Sequence, residues 1–79
     1  MHNKPEFDAD AADSAVLSAL VGAYPALLSE DEVQRESRHA TIDVEDALAR
    51  LTAAGLIHRL NGFAFASRAA VHAGRLDYT

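Results

Sequence analysis

The chain has 79 residues, of which 49% are apolar and 24% are charged, a composition that fits one globular domain with a single hydrophobic core. It contains no cysteine, which excludes disulfides and thiolate metal sites and agrees with a reducing compartment. The formal net charge is −5, so most of the surface should repel a polyanion.

The first predicted element is a helix over residues 11–23. Its apolar residues recur at helical spacing, and they are Val16, Leu17, Leu20 and Tyr24. Asp10 is a candidate N-cap, and Pro25 should end the helix because the residue before a proline is pushed out of the helical region. The polar residues 1–9 are expected to form a disordered leader.

A short apolar link, Ala26 to Leu28, precedes a second helix. Ser29 followed three residues later by Glu32 fits a capping box, in which two backbone donors at the helix start are satisfied. The pattern predicts a short helix over residues 30–37 that packing must hold in place, with Val33 as its strong apolar residue.

The third helix has the clearest pattern. Its apolar positions form one buried face, and they are Val44, Ala47, Leu48 and Leu51. Asp43 with Asp46 resembles a capping box at its start. Gly55 should end it in the left-handed conformation, with Leu56 packing on Leu51 as in a Schellman motif.

A β-hairpin is predicted next, over residues 56–60 and 63–66. Its turn, Asn61-Gly62, is the strongest signal for a two-residue hairpin loop. Such a loop pairs Leu60 with Phe63 and His58 with Phe65 on one face, and Arg59 with Ala64 and Ile57 with Ala66 on the other. Ser67 should then cap a short last helix, which Gly74 weakens, and residues 77–79 are expected to fray.

The element order and three segments, "ALLSEDEV", "TIDVEDALARLTAAGLIHR" and "LNGFAFAS", resemble a winged helix-turn-helix domain of small bacterial transcription regulators. The resemblance covers residues 11–73 and implies one domain over residues 10–76. The implied fold is mainly α with a small β-hairpin: a three-helix core, a two-residue-turn wing and a short C-terminal helix. It also implies a DNA-binding protein, with possible homodimers through the first and last helices.

In the family that the chain resembles, the third helix enters the major groove of DNA. The matching positions here are acidic, and they are Asp43, Glu45 and Asp46. Weak DNA contact is therefore expected on a basic rim that consists of Arg38, His39, Thr41, Arg59, Asn61 and Arg68. Solvated surface is the alternative interpretation of these residues.

Protein contact is the alternative function, since winged helices also serve as protein–protein modules. The residues for that function are Asp43, Glu45, Asp46 and Arg50. The acids also have a purely structural interpretation, because negative charge favours a helix N-terminus and Asp46 can pair with Arg50 one turn later.

Catalysis and metal binding have no support in the sequence. The four histidines show no spacing typical of metal ligands, and no glycine-rich phosphate loop is present. We therefore expect no enzyme activity and no cofactor. The run from Ala15 to Leu28 is too broken to span a bilayer, and the polar start lacks the apolar stretch of a signal peptide, so a cytoplasmic location is expected.

Overall fold

A computed structural model describes the backbone of residues 9–77 and the side chains of residues 11–73. The described part is mainly helical, with four helices and a small three-stranded antiparallel sheet. In chain order the elements are α1 (Ala9–Ala23), β1 (Leu28–Ser29), α2 (Glu30–Ser37), α3 (Thr41–Ala53), β2 (Ile57–Leu60), β3 (Phe63–Ala66) and α4 (Arg68–Asp77).

The hydrophobic core lies between α1, α3 and the sheet, with α2 packed on α1. Its largest fully buried side chains come from four of these elements, and they are Val16, Leu20, Val33, Leu48 and Ile57. The predicted buried face of the third helix is confirmed, since Val44, Ala47, Leu48 and Leu51 are all buried. Leu17 in α1 and Tyr24, the residue after this helix, pack against the core while partly exposed.

The start of α1 differs from the prediction. The helix begins at Ala9, so Asp10 lies inside it and the predicted N-cap is wrong. Alanine has the highest helix propensity, and the residues on both sides of Asp10 are alanines, which favours two more helical residues at this end. The end at Ala23 agrees with the prediction. Residues 1–8 of the predicted leader lie outside the described residues.

The start of α2 is confirmed as a capping box. The backbone N–H of Glu32 donates to Ser29 Oγ at 3.1 Å, and the Ser29 N–H donates to Glu32 Oε1 at 2.8 Å. Ser29 also belongs to β1, which pairs with β3 so that Leu28 lies opposite Ala64 and Ser29 opposite Phe63. The sequence indicated only an extended link here, because a two-residue strand is too short to show alternation.

The two ends of α3 differ in their capping. The helix begins at Thr41 with Ala40 as N-cap and no side-chain cap, so the predicted capping box of Asp43 and Asp46 is wrong. Asp43 is already the third helical residue. The Schellman ending is confirmed: Gly55 has φ +79°, its N–H donates to the Thr52 carbonyl at 3.0 Å, and the Leu56 N–H donates to the Leu51 carbonyl at 3.0 Å.

The hairpin has the predicted register at all four pairs. Asn61 and Gly62 both have positive φ, 51° and 83°, as the predicted two-residue turn requires. Ser67 Oγ accepts the Ala70 N–H at 3.1 Å and so caps α4 as expected. That helix continues through Gly74 to Asp77, and the last two residues of the predicted frayed tail lie outside the described residues.

Candidate interaction surface around α3 and the hairpin

The turn between α2 and α3 holds the first of the candidate residues. Arg38 ends α2 in the left-handed conformation, φ 62°, and its N–H donates to the Gln34 carbonyl at 3.2 Å. The Gln34 side-chain amide also donates to the His39 carbonyl. These bonds fix the backbone of the turn. They leave the Arg38 side chain exposed and His39 partly exposed, and only Ala40 separates His39 from the start of α3 at Thr41.

The solvent-facing side of α3 combines an apolar residue with carboxylates. Ile42 is 69% exposed, more than any other large apolar residue in the described part of the chain. Glu45 and Asp46 follow it one helical turn later and are exposed, whereas Asp43 is half-buried. We call Ile42, Glu45 and Asp46 the α3 surface.

Arg59 on β2 is held by two carboxylates. Its Nε and Nη2 donate to the two oxygens of Glu30, each at 2.9 Å, and Nη2 also lies 3.4 Å from Glu45 Oε1. Partial burial acts to lower the pKa of Arg59, but the hydrogen bonds and charges of Glu30, then of Glu45, outweigh it and raise that pKa. The strongest candidate for phosphate contact in the hairpin is therefore already neutralised.

Arg50 is engaged in a second ion pair, which joins α3 to α1. Its Nε and Nη2 donate to Asp13 at 2.8 to 3.2 Å. The hydrogen bonds with Asp13 are the main cause that raises the pKa of Arg50, and the charge of Asp46 adds a smaller effect. The predicted pair of Asp46 with Arg50 is wrong, because the guanidinium reaches across to α1 instead.

The structure does not place the six predicted DNA-contact residues on one patch. Arg38, His39 and Thr41 lie together at the start of α3. Asn61 is at the hairpin tip, whereas Arg68 follows the other end of β3, about 13 Å away along a four-residue strand. Of the arginines with described side chains, Arg35, Arg38 and Arg68 form no ion pair.

Sequence reasoning missed Asp13 and Glu30 as partners of Arg50 and Arg59. Each pair joins residues 37 or 29 positions apart, and no local pattern marks such a pair. A groove of about 440 Å³ lies elsewhere, between α1 and α2, and is lined by small residues of α1, by Leu28 and by Glu32, Arg35 and Glu36. In the described residues, no three histidine or acidic side chains are placed to hold a metal ion.

No helix within residues 9–77 has the length and apolar character needed to cross a bilayer. Comparison of the chain with protein-family models, with curated proteins and with solved structures found no match.

Proposed function

We propose that this domain is a winged helix-turn-helix that binds a protein partner through the α3 surface. The fold assignment is supported by the order of the elements: α2 and α3 joined by a three-residue turn, then a hairpin whose central strand also pairs with β1. In this arrangement α3 takes the place of the helix that reads DNA in regulators, and the hairpin takes the place of the wing.

The observation that carries the function is the composition of the α3 surface. Ile42 is 69% exposed, and the two residues beside it on the same face, Glu45 and Asp46, are acidic. Covering an apolar side chain is favourable at about 25 cal/mol per Å², whereas a phosphate backbone gains nothing from it. A basic protein segment that carries an apolar residue would complement this surface, because its cations would pair with the carboxylates and its apolar residue would cover Ile42.

The ion pairs around the α3 surface support the same proposal. Arg59, the nearest hairpin cation, is occupied by Glu30 and Glu45, and Arg50 is occupied by Asp13. Phosphate contacts depend on cations that can replace the counterions of DNA. Arg50 and Arg59 would have to leave their carboxylates before they could do so.

Selection from a displayed random-peptide library tests the proposal. Enriched peptides should be cationic, contain an apolar residue and shift the NMR signals of Ile42, Glu45 and Asp46. The variant Ile42→Lys should weaken their binding by about tenfold, because apolar contact is lost and a repelling charge is added. Leu60→Lys, a change at a similarly exposed apolar residue on the hairpin, is the matched control and should bind normally. Peptides that bind Ile42→Lys as tightly as wild type would contradict the proposal.

DNA binding is the second candidate function, favoured by the start of α3. Arg38 is exposed and forms no ion pair among the described side chains, and no side chain caps the α3 N-terminus. Backbone N–H groups at such a helix start can receive a phosphate oxygen. The resulting contact would be weak and independent of base sequence.

An NMR titration with a mixed-sequence duplex separates the two functions. If DNA is bound, the signals of Arg38, His39 and Thr41 should shift at low salt and the shifts should fade steeply as salt is added. Asp46→Lys should strengthen that binding if α3 lies near the phosphates. Shifts of the α3 surface that persist at physiological salt would instead show base reading and would contradict protein contact as its main role.

A further inference from the structure

The outer face of the sheet is an apolar surface that a single copy of the chain leaves open to solvent. Its side chains come from alternate positions of β2 and β3, and they are His58, Leu60, Phe63 and Phe65. Leu60 is 58% exposed and Phe63 43% exposed, and the rings of His58 and Phe65 lie 5.2 Å apart. Exposed apolar side chains that lie next to one another in this way mark an interaction surface.

The area of the outer face suits a small interface. Leu27, directly before β1, is a further apolar residue beside the sheet and is 47% exposed. Because the large apolar side chains here are about half exposed, and such a side chain has an area of about 150–250 Å², the face offers roughly 400 Å² to a partner. A two-fold contact would bury about twice that area, which lies at the low end for specific protein–protein interfaces.

The two ends of the sheet carry opposite charges. At the hairpin tip the Gly62 carbonyl accepts the Glu30 N–H at 2.9 Å, so the start of α2 lies there together with the exposed Asp31. At the other end of β3 the exposed Arg68 begins α4. Neither Asp31 nor Arg68 forms an ion pair among the described residues. Both charges are therefore available to a partner that covers the outer face.

We propose that two copies of this chain associate face to face through their outer faces, related by a two-fold axis that lies between the two sheets and runs across the strands. The strands of the two copies are then antiparallel, and the hairpin tip of each copy lies over the other end of the opposite sheet. Asp31 of each copy faces Arg68 of the second copy. Sheets packed in this way lie about 10 Å apart with interdigitating side chains. The proposal does not depend on the partner of the α3 surface.

Charge favours a second copy in this orientation. A two-fold axis along the strands would place Asp31 opposite Asp31 and Arg68 opposite Arg68, which repulsion disfavours, whereas the axis across the strands places opposite charges together at both ends. The net charge of −5 acts against contact over α2 and α3, where Glu36, Glu45 and Asp46 are exposed. The outer face contains no acidic residue, lysine or arginine, so two copies can meet there without like charges between the sheets.

Sedimentation velocity over a dilution series from millimolar to micromolar protein, at physiological salt, tests the contact. The wild-type chain should show a weak monomer–dimer equilibrium. Leu60→Lys should weaken it by about tenfold or more, because it places a charge inside an apolar interface twice, once from each copy. Ile42→Lys, the same change at an exposed apolar residue of α3, is the matched control and should leave the dimer unchanged. A wild-type chain that stays monomeric over the whole range, or equal weakening by the two variants, would overturn the proposal.

An exchange of the two end charges tests the orientation. Asp31→Arg and Arg68→Asp each place like charges opposite one another at both ends of the dimer and should each weaken it about threefold or more. The double variant keeps the net charge of −5 and should associate as the wild type does, because opposite charges face each other again. Circular dichroism of the single variants checks that the fold is kept, and misfolding cannot produce the recovery in the double variant. Single variants that associate at wild-type strength, or a double variant as weak as either of them, would overturn the antiparallel arrangement.

Discussion

The two faces of the β-sheet differ in what they contribute to the molecule. On the inner face Ile57, Ala64 and Ala66 are at most 1% exposed, and two of the three are alanines. On the outer face Leu60 and Phe63 are 58% and 43% exposed, although both are large and apolar. The small inner residues let α1 pack closely on β3. Stability therefore depends on the inner face, whereas the outer face leaves apolar area exposed to solvent.

Truncation of one residue on each face is the strongest test of this difference. Ile57→Ala should lower the free energy of unfolding by about 2–5 kcal/mol, because the side chain is fully buried. Leu60→Ala removes a side chain of similar size from the other face of the same strand and should change it by less than about 0.5 kcal/mol. Urea unfolding of the two variants measures both changes. Equal losses would mean that the outer face also packs within the monomer.

Gly55 determines which face of β2 turns inward, because it sets the path from α3 into the strand. Its φ of +79° disfavours any side chain, although no atom lies within 4 Å of an added Cβ. Gly55→Ala should therefore destabilise the fold by about 1–2 kcal/mol through backbone conformation alone.

The control for Gly55 is the same substitution in a helix. Gly22→Ala in α1 adds a Cβ in equally open space at a residue without positive φ, and should stabilise by about 0.5–1 kcal/mol. Opposite signs in thermal unfolding would confirm that conformation, not contact, decides both effects. A neutral Gly55→Ala would show that the Schellman ending is not needed for the register of β2.

The elements set by local signals could be predicted from the sequence. Asn61-Gly62 gave the register of the hairpin, Gly55 with Leu56 gave the end of α3, and Ser29 with Glu32 gave the start of α2, since each signal acts over a few residues. β1 could not be predicted in this way, because a two-residue strand exists only through its pairing with a distant one.

The candidate site, too, has features that local sequence patterns predict and features that they do not. Helical periodicity placed Glu45 and Asp46 on an exposed face of α3, as the structure has them. The ion pairs of Arg50 and Arg59 could not be predicted from the sequence, because the partner carboxylates lie on other elements. The predicted basic rim therefore overstated the positive charge that the hairpin offers to DNA.

Ser29 connects the outer face of the sheet with the helix that follows. It lies opposite Phe63 in β1 and caps α2 with its hydroxyl. Ser29→Ala should lower the free energy of unfolding by about 1 kcal/mol, since one backbone donor loses its partner. Ala40→Ser offers a hydroxyl at the uncapped start of α3 and should raise stability by a similar amount. No gain from Ala40→Ser would indicate that this helix start is already satisfied by water.

The smallest expected effect on stability concerns Arg59. Its position in the strand register places it on the inner face of the sheet, and its guanidinium reaches Glu30 and Glu45. A double-mutant cycle with Arg59→Ala and Glu30→Ala should give a coupling of about 0.2–1 kcal/mol, because both side chains are partly exposed, 30% and 24%. The cycle with Glu45→Ala should give less, since that contact is longer, 3.4 Å, and Glu45 is 54% exposed. Both couplings should fall as salt is added.

The ion pair of Arg59 with Glu30 can also be tested through DNA binding, which reports on function and not only on stability. Glu30→Gln removes the charge that holds Arg59 while nearly keeping the shape of the side chain. If the ion pair is what withholds Arg59 from phosphates, this variant should bind a mixed-sequence duplex more tightly at low salt than wild type. Asp31→Gln removes one charge from an exposed neighbour that forms no ion pair among the described residues, and so corrects for net charge. Equal gains for the two variants would mean that only net charge matters and that the pair at Arg59 does not control access to DNA.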